Sequence, residues 1–126
     1  MKVVKGLPPN IDEIRTFLDP TPEMFFTYGD TIYGPEKPPE DVVFHEEVHR
    51  LQQAKVGGPD AWWQKYRNPD FRLQQEVEAY RAQLRWLYSR MVQPYRYSAL
   101  VALARALRSP SYGFRVTEST ALRLLA

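Results

Sequence analysis

The chain has 126 residues, carries 17 Lys and Arg against 15 Asp and Glu, and contains no cysteine. Its length suits one domain spanning residues 1–126 with a real core, and the missing cysteines exclude disulfides and thiolate metal sites. No stretch approaches the ~20 apolar residues of a membrane span, and Met1 to Pro9 lack a signal-peptide core, so a cytoplasmic address without membrane contact is expected.

Charge is uneven along the chain. Residues 1–80 carry 9 Lys and Arg against 14 Asp and Glu, whereas residues 81–126 carry 8 Arg against one Glu. A basic C-terminal third could contact nucleic acid or an acidic protein. A solvated helix face is the commoner origin of such a pattern.

Residues 2–7 read as a short edge strand, stopped by Pro8-Pro9. Asn10 at an N-cap and Glu13 reaching back form a capping-box pattern for a short amphipathic helix over 11–18. Met24–Tyr28 and Thr31–Tyr33, on either side of Gly29-Asp30, predict a hairpin with a two-residue turn. A proline-rich loop then leads into a helix from about Glu40 to Val56, stopped by Gly57-Gly58-Pro59. Asp60 to Tyr66 is a short helix with Asp60 as its cap and aromatics for the core or a cleft wall. From about Asp70 to Met91, Leu73, Val77, Tyr80, Leu84, Leu87 and Met91 recur at helical spacing. Pro94 interrupts, Ser98 to Leu107 resumes as a helix, and Thr117 caps a last helix through Leu125.

Within the helix over 40–56 lies His45-Glu46-Glu47-Val48-His49, an H-E-x-x-H pattern that holds both histidines of the chain. Residues i and i+4 sit one turn apart on one helix face, so the two imidazoles can grip one zinc ion. Glu46 can then reach a water beside that ion and serve as general base. Val42, Glu46, His49, Gln52 and Gln53 share the face of His45, while Phe44, Val48 and Leu51 make a neighbouring apolar face. The expectation is a helix that packs by the apolar side and presents the metal-type residues beside it.

A catalytic zinc takes three protein ligands and leaves one position open. No third histidine exists, so the third ligand is a carboxylate. Glu76 lies on the shoulder of the long helix's buried stripe and Glu78 points away, which favours Glu76. Asp60 and Asp70 are weaker candidates, because both stand at helix starts where Asp serves as a cap.

This arrangement resembles the gluzincin branch of zinc metallopeptidases. The strings His45 to Gln53 and Gln75 to Tyr80 resemble small zincin-like proteins of bacteria and bacteriophages over residues 24–110. The resemblance implies an α+β, mostly helical, zincin-like fold. In it a small N-terminal hairpin or sheet precedes an active-site helix packed on a long second helix, with further helices C-terminal. It also implies His45, His49 and Glu76 as zinc ligands and Glu46 as base. Gluzincins commonly carry an aspartate four residues after the ligand glutamate, and here that position is Tyr80. Its hydroxyl could orient an imidazole or line the cleft beside the reacting carbonyl, and Gln83 lies one turn further on. Gln52 and Gln53 could bind substrate or backbone.

The function expected is a zinc-dependent metalloendopeptidase acting on a peptide or protein. Tyr66, Tyr80, Tyr95 and Arg81 are the candidates for an oxyanion donor, and the edge of the hairpin at 24–33 could receive an extended substrate. The alternative is a catalytically inactive protein of the same fold that binds a protein or, through the Arg-rich third, nucleic acid.

Overall fold

A three-stranded sheet opens the chain in the computed structural model, which describes residues 1–126. Strand β1 (Lys2–Lys5) runs parallel to β3 (Thr31–Gly34), which pairs antiparallel with β2 (Phe26–Tyr28), giving the order β1-β3-β2. The hairpin turns at Gly29-Asp30 with Tyr28 opposite Thr31, and Gly29 takes the positive φ of +64° that such a turn needs. Gly34 has a different role: a Cβ there would overlap the ring of Phe25.

Six helices account for most of the chain, so the architecture is α+β and mostly helical. They are α1 (Ile11–Ile14), α2 (Glu40–Lys55), α3 (Pro59–Tyr66), α4 (Pro69–Tyr88), α5 (Gln93–Leu107) and α6 (Glu118–Leu125). Helix α4 is the spine: α2 lies along one side, and α5 and α6 pack on the other. No helix is long and apolar enough to cross a membrane.

Several local expectations need correction. Helix α1 stops at Ile14 rather than at 18, and Asn10 makes no capping bond; its side-chain amide is buried without a partner. Gly58, at φ +122°, precedes α3, and Asp60 lies inside the first turn, where it accepts the Tyr28 hydroxyl at 2.6 Å. Asn68 caps α4 by accepting from the N–H groups of Asp70 and Phe71. Pro94 opens α5 instead of interrupting it, as suits a residue with fixed φ and no N–H to leave unbonded. Thr117 does cap α6, accepting from the N–H of Thr120.

Two apolar clusters fill the interior. One joins Tyr80 and Leu84 of α4 to Leu103, Ala104 and Leu107 of α5 and to Ala121 and Leu125 of α6. The other gathers Ile14, Leu18, Phe26, Trp62, Trp63 and Tyr66 beneath the sheet. Burying a Leu, Ile or Phe side chain is worth about 1.5–3 kcal/mol, so these clusters supply most of the cohesion.

Helix α2 does the reverse of what its pattern predicts. Phe44 and Leu51 are 48% and 55% exposed, while His45, Glu46, His49, Gln52 and Gln53 are buried. The helix packs by its polar face. Phe44 meets the Trp86 ring at 5.7 Å. The polar face goes inward because its groups find partners there; Gln53 is one example. Its Nε2 donates to Thr27 O at 2.8 Å, and its Oε1 accepts from Gly29 N at 2.8 Å, which clamps the hairpin to α2. Trp63 Nε1 donates to the same Thr27 oxygen at 3.2 Å. That carbonyl is fully bonded, so this stretch of hairpin edge is closed to an added strand.

Candidate metal centre

Helix α2 brings His45 and His49 to its buried side, one turn apart, with their rings edge to face at 4.9 Å. Their Nε2 atoms stand 3.2 Å apart. Glu76, from the facing turn of α4, sets Oε1 at 3.1 Å from His45 Nε2 and Oε2 at 3.0 Å from His49 Nε2. A tetrahedral site with ~2.0–2.1 Å metal–ligand bonds has edges of roughly 3.3 Å. The Nε2–Nε2 separation is close to such an edge, and each histidine meets a different oxygen of the Glu76 carboxylate. Ligand atoms of His45, Glu46 and His49 also lie within 4.8 Å of one another, with Glu46 Oε2 at 3.9 Å from His45 Nε2. Glu76 is the nearer carboxylate to both rings.

The far nitrogens of both rings are held. Gln83 Nε2 donates to Asp41 Oδ2 at 2.7 Å, which turns Gln83 Oε1 toward His45 Nδ1 at 3.0 Å. Gln52 Nε2 donates to Gln75 O at 3.1 Å and Glu78 Oε1 at 3.3 Å, which turns Gln52 Oε1 toward His49 Nδ1 at 2.8 Å. A carbonyl oxygen only accepts, so each Nδ1 carries a proton and each Nε2 is left facing the other ring and Glu76. Two lone pairs and a carboxylate converging in a buried place call for a cation.

Without a metal that cation is a proton. Burial works against an imidazolium at His49, but the charge and hydrogen bond of Glu76 outweigh it, and with help from Glu46 and Gln52 its pKa rises to about 9. Burial likewise works against the Glu76 carboxylate, yet His49 and His45 hold it ionised well below the usual carboxylate range. Tyr66 steadies this carboxylate by donating its hydroxyl to Oε2 at 2.6 Å. Its own pKa is pushed up by burial and by Glu76. The Trp62 ring closes the other flank, 5.1 Å from the His49 ring.

Glu46 follows His45 and is equally buried, but it makes no side-chain hydrogen bond of its own. Burial raises its pKa; the two histidines pull the other way, and Glu76 adds to the rise. It faces a small cavity of about 40 Å³ shared with His45, His49, Glu76, Trp62 and Tyr112. That is space for an ion and about one or two waters. A second hollow of about 240 Å³ lies on the other side of His45 and Glu46.

Tyr80 does not bond an imidazole; its ring packs edge-on against His45 at 4.3 Å, and Gln83 holds that histidine instead. The Tyr80 hydroxyl meets the Tyr112 hydroxyl at 2.8 Å. Burial, followed by the Glu76 charge, raises both phenols and keeps them protonated. Two hydroxyls sharing one bond leave one O–H proton without an acceptor, and Tyr112 lines both hollows. Tyr112 itself is placed by Arg72, whose Nε donates to Tyr112 O at 2.8 Å and whose Nη1 donates to Tyr66 O at 2.9 Å.

Of the other residues singled out from sequence, Tyr95 is exposed and Arg81 lines a hollow beside Leu124, neither at the site. Asp60 holds Tyr28, and Asp70 is exposed in the first turn of α4. In the Arg-rich third, Arg90 lies over the Trp86 ring at 3.9 Å, and Arg105 and Arg108 approach Glu118 at 3.8 and 3.9 Å. Tyr112 was not foreseen, because it comes from a 3-10 turn after α5 with no motif of its own. The Gln52 role had a signal in its spacing of one turn from His49. Compared with protein-family profiles, curated proteins and solved structures, the chain gives no match.

Proposed function

We propose that the chain is a zinc-dependent peptidase of the zincin-like kind, with His45, His49 and Glu76 as zinc ligands and Glu46 as general base. The observation that carries the reading is the convergence of two oriented Nε2 lone pairs and one carboxylate at 3.0–3.2 Å, with a hydrogen-bond-free carboxyl beside them. An N₂O donor set of this kind suits zinc and leaves a coordination position open. Zinc held by these three residues would supply Lewis acidity, making water a nucleophile near neutral pH and polarising a carbonyl.

The protein's own groups do the rest. Glu46, with its raised pKa, accepts the proton of the attacking water and returns it to the leaving amine. The spare O–H of the Tyr80–Tyr112 pair donates to the oxygen on which negative charge develops. Gln83 and Gln52 keep the two Nε2 atoms aimed inward, and Tyr66 fixes the Glu76 carboxylate.

A second reading has one observation in its favour. The ligating residues are almost sealed, and the inner cavity is small, as in a structural zinc site closed by Glu46 as fourth ligand. Glu46→Gln separates the two. The peptidase reading expects zinc retained and cleavage in a peptide-library screen reduced by at least about 10²–10⁴-fold, the range typical of a lost acid–base group. A variant that loses zinc along with the carboxylate supports the structural site, and one that cleaves at the parent rate removes Glu46 as base.

A further inference from the structure

We infer that the hollow between α5 and the Met24-Phe25 segment is the pocket that selects the substrate, and that it takes one large, uncharged apolar side chain next to the reacting carbonyl. This rests on the proposed peptidase function, which says nothing about which bond is chosen.

The hollow measures about 240 Å³ and is walled by Met24 and Phe25 on one side, Val42 of α2 at one end, and Leu103 and Ala106 of α5 on the other. Its floor is His45, Glu46 and the tyrosine pair. It falls below the ~300–1,000 Å³ of pockets that hold whole drug-sized ligands. It has room for a single large side chain. The inner cavity, at about 40 Å³, is too small for any part of a peptide beyond the reacting atoms. The two spaces share Met24, Phe25, His45, Glu46 and Tyr112, so a group seated in the larger one lies beside the base and the candidate oxyanion donor.

Chemistry of the walls sets the preference. Gln83 is tied at both ends, its Oε1 by His45 and one N–H of its Nε2 by Asp41. The tyrosine hydroxyls bond each other. A polar side chain in the pocket would either compete for the spare tyrosine O–H and the Glu46 carboxyl that the reaction needs or leave its own groups unpaired, at a cost of about 1–3 kcal/mol on mutational scales. The one further charge on the lining is Glu23, which is exposed and repels an acidic group. The tight fit of Phe25 over Gly34 holds the wall in place, since no residue with a Cβ would admit that ring.

The test uses the full chain loaded with zinc, its metal content measured first, and three small zinc-directed probes, the α-hydroxamates of glycine, leucine and aspartate, with phenylalanine hydroxamate as a fourth for the enlarged variant. Binding is read by titration calorimetry, so no cleavage assay is needed. Leucine hydroxamate is expected to bind at least about tenfold more tightly than glycine hydroxamate, in line with the discrimination an apolar pocket achieves, and aspartate hydroxamate no better than glycine hydroxamate. Ala106→Phe fills the pocket and should bring leucine and glycine probes to within about twofold at unchanged zinc content. Leu103→Ala enlarges it and should shift preference toward phenylalanine hydroxamate, which keeps the test intact if the filled variant does not fold. Equal binding of the three probes to a zinc-loaded chain overturns the pocket and leaves the zinc site standing. Absence of zinc in the parent chain overturns the function on which the pocket rests.

Discussion

Helix α4 buries one side against Leu103, Ala104, Leu107, Ala121 and Leu125 and the other against His45, His49 and Gln52. The first contact is apolar throughout, and its cohesion is the sum of many small burials. The second joins polar groups, each of which has a fixed partner: Glu76 to both histidines and Tyr66, Gln83 to Asp41 and His45, Gln52 to α4 and His49. Buried polar groups are tolerable only when bonded, and a partly satisfied network is worse than an apolar core. One half of the molecule therefore tolerates substitution by degrees, while the other is tied to a specific geometry of hydrogen-bond partners.

Variants on the two sides of α4 should behave differently. His49→Ala or Glu76→Ala removes one of the proposed ligands and should weaken zinc binding by about 3 kcal/mol or more, a fair share of the ~10–16 kcal/mol of structural zinc sites, read by competition with a chromophoric chelator. Leu107→Ala, in the apolar cluster, should cost about 2–5 kcal/mol in denaturant unfolding while zinc affinity stays as in the parent. If that variant loses zinc as well, the two regions are not separable. Gln83→Leu leaves His45 in place but frees its ring, and should lower zinc affinity about 10–100-fold, the usual effect of losing an outer partner. Asn10→Ala should not destabilise and should instead stabilise by up to about 1 kcal/mol, against a loss of ~1 kcal/mol for a working N-cap, because Asn10 makes no capping bond and its amide is buried without a partner. A full capping loss there would show that the bond forms in solution.

The apolar half of this comparison was legible in the sequence and the polar half only in outline. Tyr80 and Leu84 recur at helical spacing and are buried, and Leu103, Ala104 and Leu107 lie buried on the helix expected after Pro94. The structure brings together His45, His49 and Glu76, which the H-E-x-x-H spacing and the shoulder position of Glu76 had singled out. Hydropathy, however, assigned the buried face of α2 to Phe44, Val48 and Leu51, and Phe44 and Leu51 are half-exposed. A pattern of apolar residues cannot register that Gln52, Gln53 and the histidines have hydrogen-bond partners on other elements. Tyr112 was invisible for a related reason: its place depends on Arg72 reaching across from α4 to its carbonyl, a contact between distant segments. The Asn10 pattern failed because a capping box specifies which groups are available and not which way the chain turns before α1.

The central claim is that His45, His49 and Glu76 hold a metal ion together. Mass spectrometry of metal content, on the parent chain, His49→Ala and Glu76→Ala purified without added metal, tests it most directly. The expected result is about one zinc per parent chain and little or none in either variant, as for a site built from three protein ligands. A parent chain that carries no metal and takes up none on titration with zinc would contradict the claim, and the buried cluster would then be a hydrogen-bonded network around the His49 proton.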